Sequence, residues 1–246
     1  MPHPAEVWIG TSGYVYPHWR KGVFYPIKLP VRQELAYFGD RFRSVELNNP
    51  FYRLPTPEMF QRWREATPPG FRFAVKASRY ITHIKRLRDV ADELALFLER
   101  ADGLGPKLGP ILFQLPPTQQ FERTRLRDFL TLLSEDRRWV VEFRHPSWHT
   151  ADVYHLLTDH AVALCIPVGG GLHPDRVTTA PFTYLRMHRG REAEGGFTSD
   201  ELASWASRIR ALRNAGKEVY VYFNNDWAGY AIRDAIKLRE LLGIEL

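Results

Sequence analysis

The sequence predicts one α/β domain, a TIM-like (β/α)8 barrel of parallel strands with an irregular connection after the sixth strand. Three observations predict it. Strand-like segments recur eight times along the 246 residues, helical patterns fall between most of them, and most segments end in a charged or amide side chain. Strands alternating with helices imply a parallel sheet, eight such units favour closure over an open doubly wound sheet, and the length suits one barrel of ordinary size. No low-complexity linker or change of composition divides the chain, so residues 1–246 read as a single domain.

Each element has a local warrant. Strands are expected at 7–11, 44–48, 71–77, 110–115, 139–144, 162–167, 182–188 and 219–224. Side chains alternate across a strand, so Glu46 and Asn48 share one face, as do Glu142 and Arg144, and Arg186 and His188. The opposite face carries Val45, Leu47, Phe73, Val75, Val141, Phe143, Leu185, Met187, Val221 and Phe223, which suits a layer of helices. After the second strand, Thr56 as N-cap and Pro57 at the first helical position start a helix whose buried stripe is Met59, Phe60 and Trp63. Further helices are expected at 89–101, 123–133 and 152–159. After the sixth strand, Gly169-Gly170-Gly171-Leu172-His173-Pro174 reads as a loop, either a lid or a flexible connection. Thr198-Ser199-Asp200-Glu201 is a capping box ahead of Leu202, Trp205, Ile209 and Leu212, and Asn214-Ala215-Gly216 ends that helix. A last helix at 228–242 carries apolar Ile232, Ile236 and Leu241.

An apolar content of 44%, with 13% aromatic residues, supports a large core and argues against intrinsic disorder. The single cysteine, Cys165, excludes an intrachain disulfide and a cysteine-cluster metal site. Inside the apolar run 162–166 it reads as an inert core thiol, and its isolation fits a reducing compartment. No apolar run is long enough to span a bilayer, and Met1-Pro2-His3-Pro4-Ala5-Glu6 lacks the basic and apolar regions of a secretory signal. A cytoplasmic protein without membrane association is expected. The formal charge of +6 points to an anionic partner, such as phosphate, a phosphosugar or nucleic acid, or else to arginine serving solubility alone.

In such barrels the C-terminal ends of the strands and the loops after them form the active site. That frame brings together Ser12, Glu46, Asn48, Lys76, Ser78, Gln114, Glu142, Arg144, Arg186, His188 and Asn224. Buried charge is costly unless paired or used, so inward charge repeated along the chain marks a polar pocket. Lys76 reads as a desolvated base or Schiff-base nucleophile, or, by preference, as half of an ion pair with Glu46 on the neighbouring strand. Glu46 and Glu142 read as a general acid and base, or as neutralising partners of Lys76, Arg144 and Arg186, with a local Glu142–Arg144 pair expected. Arg144 and Arg186 present planar forks suited to carboxylate or phosphate. Three cations against two carboxylates leave positive charge in excess, unless Asp226 offsets it.

His188 is the natural proton shuttle, or a hydrogen-bonded structural histidine. His83 and His145 lie in strand-following loops, and with Glu46, Glu142 and Asp226 these histidines would make a carboxylate–imidazole site for a divalent metal. No His-Glu-x-x-His spacing supports that option. Asn48, Gln114 and Asn224 offer donors and acceptors for a sugar or a base. Tyr14, Tyr16, Trp19, Phe51, Tyr52, Trp148 and Trp227 follow strand ends, where aromatics stack on such a ligand or plug the mouth; Trp148 is assigned to the substrate-binding set. Gly10-Thr11-Ser12-Gly13 is a tight turn able to show backbone N–H groups to an anion, and no nucleotide-cofactor motif occurs.

In this order, the segments resemble the YecE-like family, a group catalogued as a domain of unknown function (DUF72). The stretches that carry the resemblance are Ile9-Gly10-Thr11-Ser12-Gly13, Val45-Glu46-Leu47-Asn48-Asn49-Pro50-Phe51-Tyr52, and Ala74-Val75-Lys76-Ala77-Ser78-Arg79 with Thr82-His83. They continue with Leu112-Phe113-Gln114-Leu115-Pro116-Pro117, Val141-Glu142-Phe143-Arg144-His145-Pro146-Ser147-Trp148, Tyr184-Leu185-Arg186-Met187-His188 and Tyr222-Phe223-Asn224-Asn225. The resemblance implies a TIM-barrel-type fold and brings no reaction, substrate or catalytic set with it. Two departures stand out: Pro50 replaces a small hydroxyl residue, removing a polar contact, and Arg189 replaces a glycine, adding a cation at the rim.

The leading functional expectation is an enzyme acting on a small anionic or phosphorylated, hydroxyl-rich substrate. Arg144, Arg186 and Lys76 would hold the anion, Glu46 or Glu142 would act as acid or base, and His188 would assist proton transfer. Two alternatives accompany it: phosphodiester hydrolysis on nucleic acid or nucleotides, metal-assisted or not, and non-catalytic binding of an anionic metabolite.

Overall fold

A computed structural model describes residues 5–171 and 177–245. Its eight strands are β1 (Val7–Thr11), β2 (Ser44–Leu47), β3 (Arg72–Lys76), β4 (Leu108–Gln114), β5 (Trp139–Glu142), β6 (Ala163–Val168), β7 (Phe182–Met187) and β8 (Glu218–Phe223). They form one parallel sheet in the order β1-β8-β7-β6-β5-β4-β3-β2, a nearly closed barrel. The seam between β1 and β2 is joined at its C-terminal end, where Ser12 bridges Glu46 and the Gly13 N–H donates to the Glu46 carbonyl at 2.8 Å. Glycine at position 10 permits this approach, because a Cβ there would stand 2.0 Å from the Ser44 carbonyl oxygen.

The expected alternation is realised around the ring. All ten apolar residues assigned to the outer faces of the strands lie in one core cluster with the helices. The inner faces carry Trp8, Ala74, Leu112, Val140, Ala163, Cys165, Tyr184, Tyr220 and Tyr222, which fill the interior rather than leaving a pore. Three aromatic rings rise along the axis, Trp8 stacked on Tyr220 and Tyr220 on Tyr184, each pair 6.3 Å apart. Trp8 closes the lower end, its indole donating to Glu218 at 2.8 Å under the guanidinium groups of Arg43 and Arg72. Glu46, Glu142 and Arg186 lie toward the other, C-terminal end of the strands.

The outer layer comprises α1 (Glu34–Gly39), α2 (Asn49–Tyr52), α3 (Pro57–Glu65), α4 (Ala91–Ala101), α5 (Arg123–Leu130), α6 (Ala151–Asp159), α7 (Ser199–Asn214) and α8 (Tyr230–Leu242). The capping box of α7 forms as expected: Thr198 Oγ1 accepts from the Glu201 N–H at 3.3 Å, and Glu201 accepts from the Thr198 N–H at 2.9 Å. Several boundaries shift: β2 ends at Leu47, β5 at Glu142 and α5 at Leu130, short of the expected 48, 144 and 133. Helix α4 starts at Ala91 rather than residue 89, because Arg86, Leu87 and Asp89 hold positive φ angles that no helix accommodates. In α3, Phe60 and Trp63 are buried but Met59 is 39% exposed. Helices α1 and α2, six and four residues long, carry too little periodicity to be read beforehand.

Among the described residues no helix joins β6 to β7, in keeping with the irregular connection; Leu172, His173 and Pro174 lie outside them. Gly169 adopts φ +81, and a Cβ on it would fall 1.7 Å from the Arg189 carbonyl oxygen, so the loops after β6 and β7 touch there through glycine. Among the described residues no helix is long and apolar enough to cross a membrane.

Candidate active site at the barrel mouth

The last inward residues of β2, β5 and β7 meet on the barrel axis. Arg186 Nε donates to Glu46 Oε2 at 3.0 Å and Nη2 to Glu46 Oε1 at 2.8 Å, while Nη1 donates to Glu142 Oε2 at 2.8 Å. The Tyr184 hydroxyl adds a hydrogen bond to Glu46 Oε2 at 2.6 Å. All four side chains are buried. Such burial is tolerable because the guanidinium fork matches both carboxylates and leaves few donors unmet. Burial disfavours the charged form of Glu46, but the charge of Arg186 and the bonds from Tyr184 and Arg186 outweigh it and hold the carboxyl below its ordinary range. Glu142 is held well below that range, against its burial, by Arg186, His188 and Arg144.

This arrangement changes two readings of the sequence. The fork of Arg186 is engaged by Glu46 and Glu142, whose two carboxylates offset its charge and leave it a weaker anchor for a ligand anion. The Lys76–Glu46 pair does not form, since the Glu46 oxygens face Arg186 and Tyr184. Lys76 Nζ donates instead to Gln114 Oε1 at 2.7 Å and sits 4.1 Å above the Phe51 ring. Burial first, and then the neighbouring charge of Arg186, push its pKa down to about 8.

Beside this axis lie Arg144, His188 and Asn224. The expected Glu142–Arg144 pair is present, through Glu142 Oε1 and Arg144 Nη2. His188 Nε2 stands 3.2 Å from Arg144 Nη2 and 3.6 Å from Glu142 Oε1, and its Nδ1 lies 3.1 Å from the Asn224 amide group. Both ring nitrogens thus face donor groups, Nε2 the Arg144 guanidinium and Nδ1 the Asn224 amide nitrogen. Burial lowers the His188 pKa, and the opposing pull of Glu142 compensates only in part. Buried atoms here without a hydrogen-bond partner include Asn48 Oδ1 and Arg144 Nε, along with Ser12 Oγ. Buried polar atoms are nearly always hydrogen-bonded, so an orphaned acceptor and an orphaned donor at one mouth mark a place for a ligand. A cavity of about 850 Å³ opens beside Asn48, lined also by Tyr14, Tyr52, Trp63 and Arg100; Met59 is exposed because it forms part of this wall.

The remaining predicted residues divide. Ser12 is buried at the seam beside Glu46, and Gln114 holds Lys76. Ser78 Oγ accepts from the Tyr80 N–H at 3.2 Å and starts the π-type turn Tyr80–Ile84. That turn brings the His83 ring edge-on to Phe51 at 5.0 Å, and burial, then Lys76, Arg79 and Arg86, lower its pKa. Trp148 is not at the mouth. It stacks on Phe143 at 4.3 Å in the outer layer, with Phe121 at its edge and its indole donating to the Gln119 carbonyl at 2.6 Å. His145 is likewise engaged locally, accepting from the Ser147 N–H. Asp226 accepts from Trp19 at 2.8 Å and meets His18 at 2.7 Å.

Among the described residues no three His, Cys, Asp or Glu side chains are placed to hold a metal ion, and Arg186 faces oxygens of both glutamates that would have served. Cys165 Sγ lies 3.7 Å from Glu142 Oε2, and burial pushes its thiol pKa well above the ordinary value, as an inert core thiol requires. Two contributors escaped the sequence reading: Tyr184, which steadies Glu46, and the Ser44–Tyr222 hydroxyl pair at 2.6 Å below it. Their signal was available, since Tyr184 and Tyr222 fall on the same inward alternation as Arg186 and Asn224.

Residues 8–246 match the family described as "Protein of unknown function DUF72". The chain is 34% identical over 143 residues to the UPF0759 protein YecE of Escherichia coli K12, a match covering 58% of this chain and half the length of that protein. It is 27% identical over 256 residues to the UPF0759 protein YunF of Bacillus subtilis, covering 90% of each. A crystal structure of a DUF72 family protein from Thermotoga maritima superposes with a TM-score of 0.85 at 30% identity, covering 97% of this chain and 99% of that one. A second, from Enterococcus faecalis, gives 0.83 at 20% identity and shares the fold, covering 98% and 96%.

Proposed function

The chain belongs to the DUF72 family, and from that premise we propose that it is an enzyme using acid–base chemistry on a small anionic, hydroxyl-rich substrate at the barrel mouth. The observation that carries the reading is the meeting of an unpaired, desolvated lysine with buried polar atoms that have no protein partner. Glu46, Arg186 and Glu142 form the fixed electrostatic floor. Lys76 and Arg144 then hold the anion, Arg144 through its orphaned Nε, and Asn48, Gln114 and Asn224 meet hydroxyl groups. Proton transfer falls to Lys76 and His188. A catalytic acid or base works best with a pKa near the working pH. Lys76 is pushed down to about 8, toward neutrality, and burial lowers His188 from its ordinary value. Both glutamates, held below the carboxylate range, are poor proton donors and serve to orient and to balance charge.

Thermal unfolding with inorganic phosphate, glycerol 3-phosphate and hexose phosphates, against the neutral sugars, tests this reading. A ligand at one hundred times its Kd adds about 2.7 kcal/mol, which raises Tm by roughly 5–11 °C for a chain of this size. The gain should vanish in Lys76→Ala and Arg144→Gln; full retention in both would remove the basis of the assignment. Stabilisation without turnover across a broad panel would instead indicate a binder. A second reading, nucleic-acid hydrolysis, is favoured by exposed Tyr52, Tyr80 and Trp227 and exposed Arg79 and Arg86 on loops around the same mouth. It requires nucleic-acid affinity that falls steeply with salt.

A further inference from the structure

We infer that Lys76 is a covalent nucleophile that forms an imine with the aldehyde or ketone carbon of an anionic substrate, an inference that rests on reading the mouth as an anion site. A lysine enclosed in a protein is ordinarily neutralised by a carboxylate, and the two candidates here are committed elsewhere. Glu46 is taken by Arg186 and Tyr184, and Glu142 by Arg186 and Arg144. Lys76 Nζ keeps a neutral amide oxygen, Gln114 Oε1 at 2.7 Å, as its hydrogen-bond partner, with the Phe51 ring closing one side at 4.1 Å. The amide oxygen carries no charge to hold the proton, and burial together with Arg186 outweighs the opposing pull of Glu46 and Glu142.

The placement is rigid as well. Lys76 ends strand β3, paired to Leu112 of β4, so the amine is carried by the sheet rather than by a loop. With a pKa near 8, roughly one-tenth of the side chains are neutral at pH 7, against fewer than about one in a thousand for an ordinary lysine.

The step balances without a further reagent. The neutral Nζ attacks the carbonyl carbon; a C–N bond forms as the C–O π bond opens onto oxygen. That oxygen then leaves as water with both amine hydrogens, and a C=N bond remains. Protonated, the imine places a cation where the ammonium stood, among Glu46, Glu142 and Arg186, and acidifies the adjacent C–H of the substrate. His188, the imidazole beside Arg144 and Asn224, would take that proton. The substrate class is an aldehyde or ketone bearing phosphate or carboxylate, the charge lying toward Arg144.

The experiment incubates the whole chain with pyridoxal 5′-phosphate, glyceraldehyde 3-phosphate or pyruvate at pH 7.5, reduces with borohydride and maps the adducts by peptide mass spectrometry. The expected result is one dominant adduct at Lys76. It should be absent in Lys76→Arg, slowed at least tenfold by Arg144→Gln with the charged probes but not with neutral glyceraldehyde, and faster as pH rises through 8. Adducts spread over the surface lysines with none at Lys76 would overturn the inference. If glycerol 3-phosphate still raises Tm in that case, the anion site stands and the covalent step alone falls. An adduct at Lys76 indifferent both to Arg144→Gln and to excess glycerol 3-phosphate would overturn the anionic substrate class.

Discussion

Replacing Lys76 with methionine, a side chain of similar length without charge, should make the protein more stable at neutral pH while removing its grip on anions. The fall of the Lys76 pKa from 10.5 to about 8 corresponds to a net cost to the ammonium of about 3.4 kcal/mol at 1.4 kcal/mol per pH unit, burial and Arg186 outweighing the pull of Glu46 and Glu142. Methionine avoids that cost but strands the half-buried Gln114 oxygen, which returns about 1–2 kcal/mol. A net gain of about 1–2 kcal/mol remains, or roughly 2–8 °C in Tm. The pH dependence distinguishes this cause from a general packing effect. Below pH 8 both folded and unfolded wild-type chains carry the proton and the gap is constant. Between pH 8 and 10.5 the folded chain has lost it and the unfolded chain has not, so wild-type stability climbs and the gap closes. Urea denaturation of both proteins at unit pH intervals from 7 to 10 measures this. A variant less stable at pH 7, or a gap of the same size at pH 10, would refute the reasoning.

Four further outcomes are expected. Arg186→Met should cost about 3–5 kcal/mol in urea denaturation, because it leaves buried Glu46 with the Tyr184 hydroxyl and buried Glu142 with Arg144 as their main remaining partners; a loss under 1 kcal/mol would show that the two carboxylates do not depend on it. Gly10→Ala should lower stability by about 1–3 kcal/mol, since its Cβ would collide with the Ser44 carbonyl across the seam, and an unchanged Tm would contradict the close approach. Trp148→Ala should cost about 3–5 kcal/mol yet leave the thermal response to phosphate ligands intact; a lost response would return Trp148 to the site. On the acid side, His188 has a folded pKa below 6.5 and both glutamates fold below 4.5. Stability should therefore begin to fall as pH drops under 6.5 and fall more steeply under 4.5, as the carboxylates take up protons; a urea midpoint flat from pH 7 to 3 would count against those shifts.

The barrel and the inventory of its mouth were legible because both depend on a period of two. Tyr184, Arg186 and His188 face inward for the same reason that Leu185 and Met187 face the helices, and that needs no knowledge of distance. Partner choice at the mouth was not legible. Lys76 and Glu46 stand on adjacent strands, yet Glu46 pairs with Arg186, 140 residues away, because the stagger of the strands and the longer reach of arginine decide which groups meet across the axis. Trp148 was misplaced for a related reason. A loop residue six positions past the end of its strand obeys no alternation, and Phe143 offered it a flat apolar face in the outer layer. The first connection was unreadable because Glu34–Gly39 gives little more than one and a half helical turns in which to show a stripe.

The bridge at Ser12 and Glu46 has one more implication. The main chain of Glu46 fastens the first strand to the second, and its side chain is the post to which Arg186 is tied. Shutting the ring and erecting the floor of the pocket are therefore a single event, hinged on one residue. A chain whose opening strand has come undone has no receptacle to offer. A guest seated over Arg186 would in turn act as a clasp, discouraging the two ends of the sheet from parting.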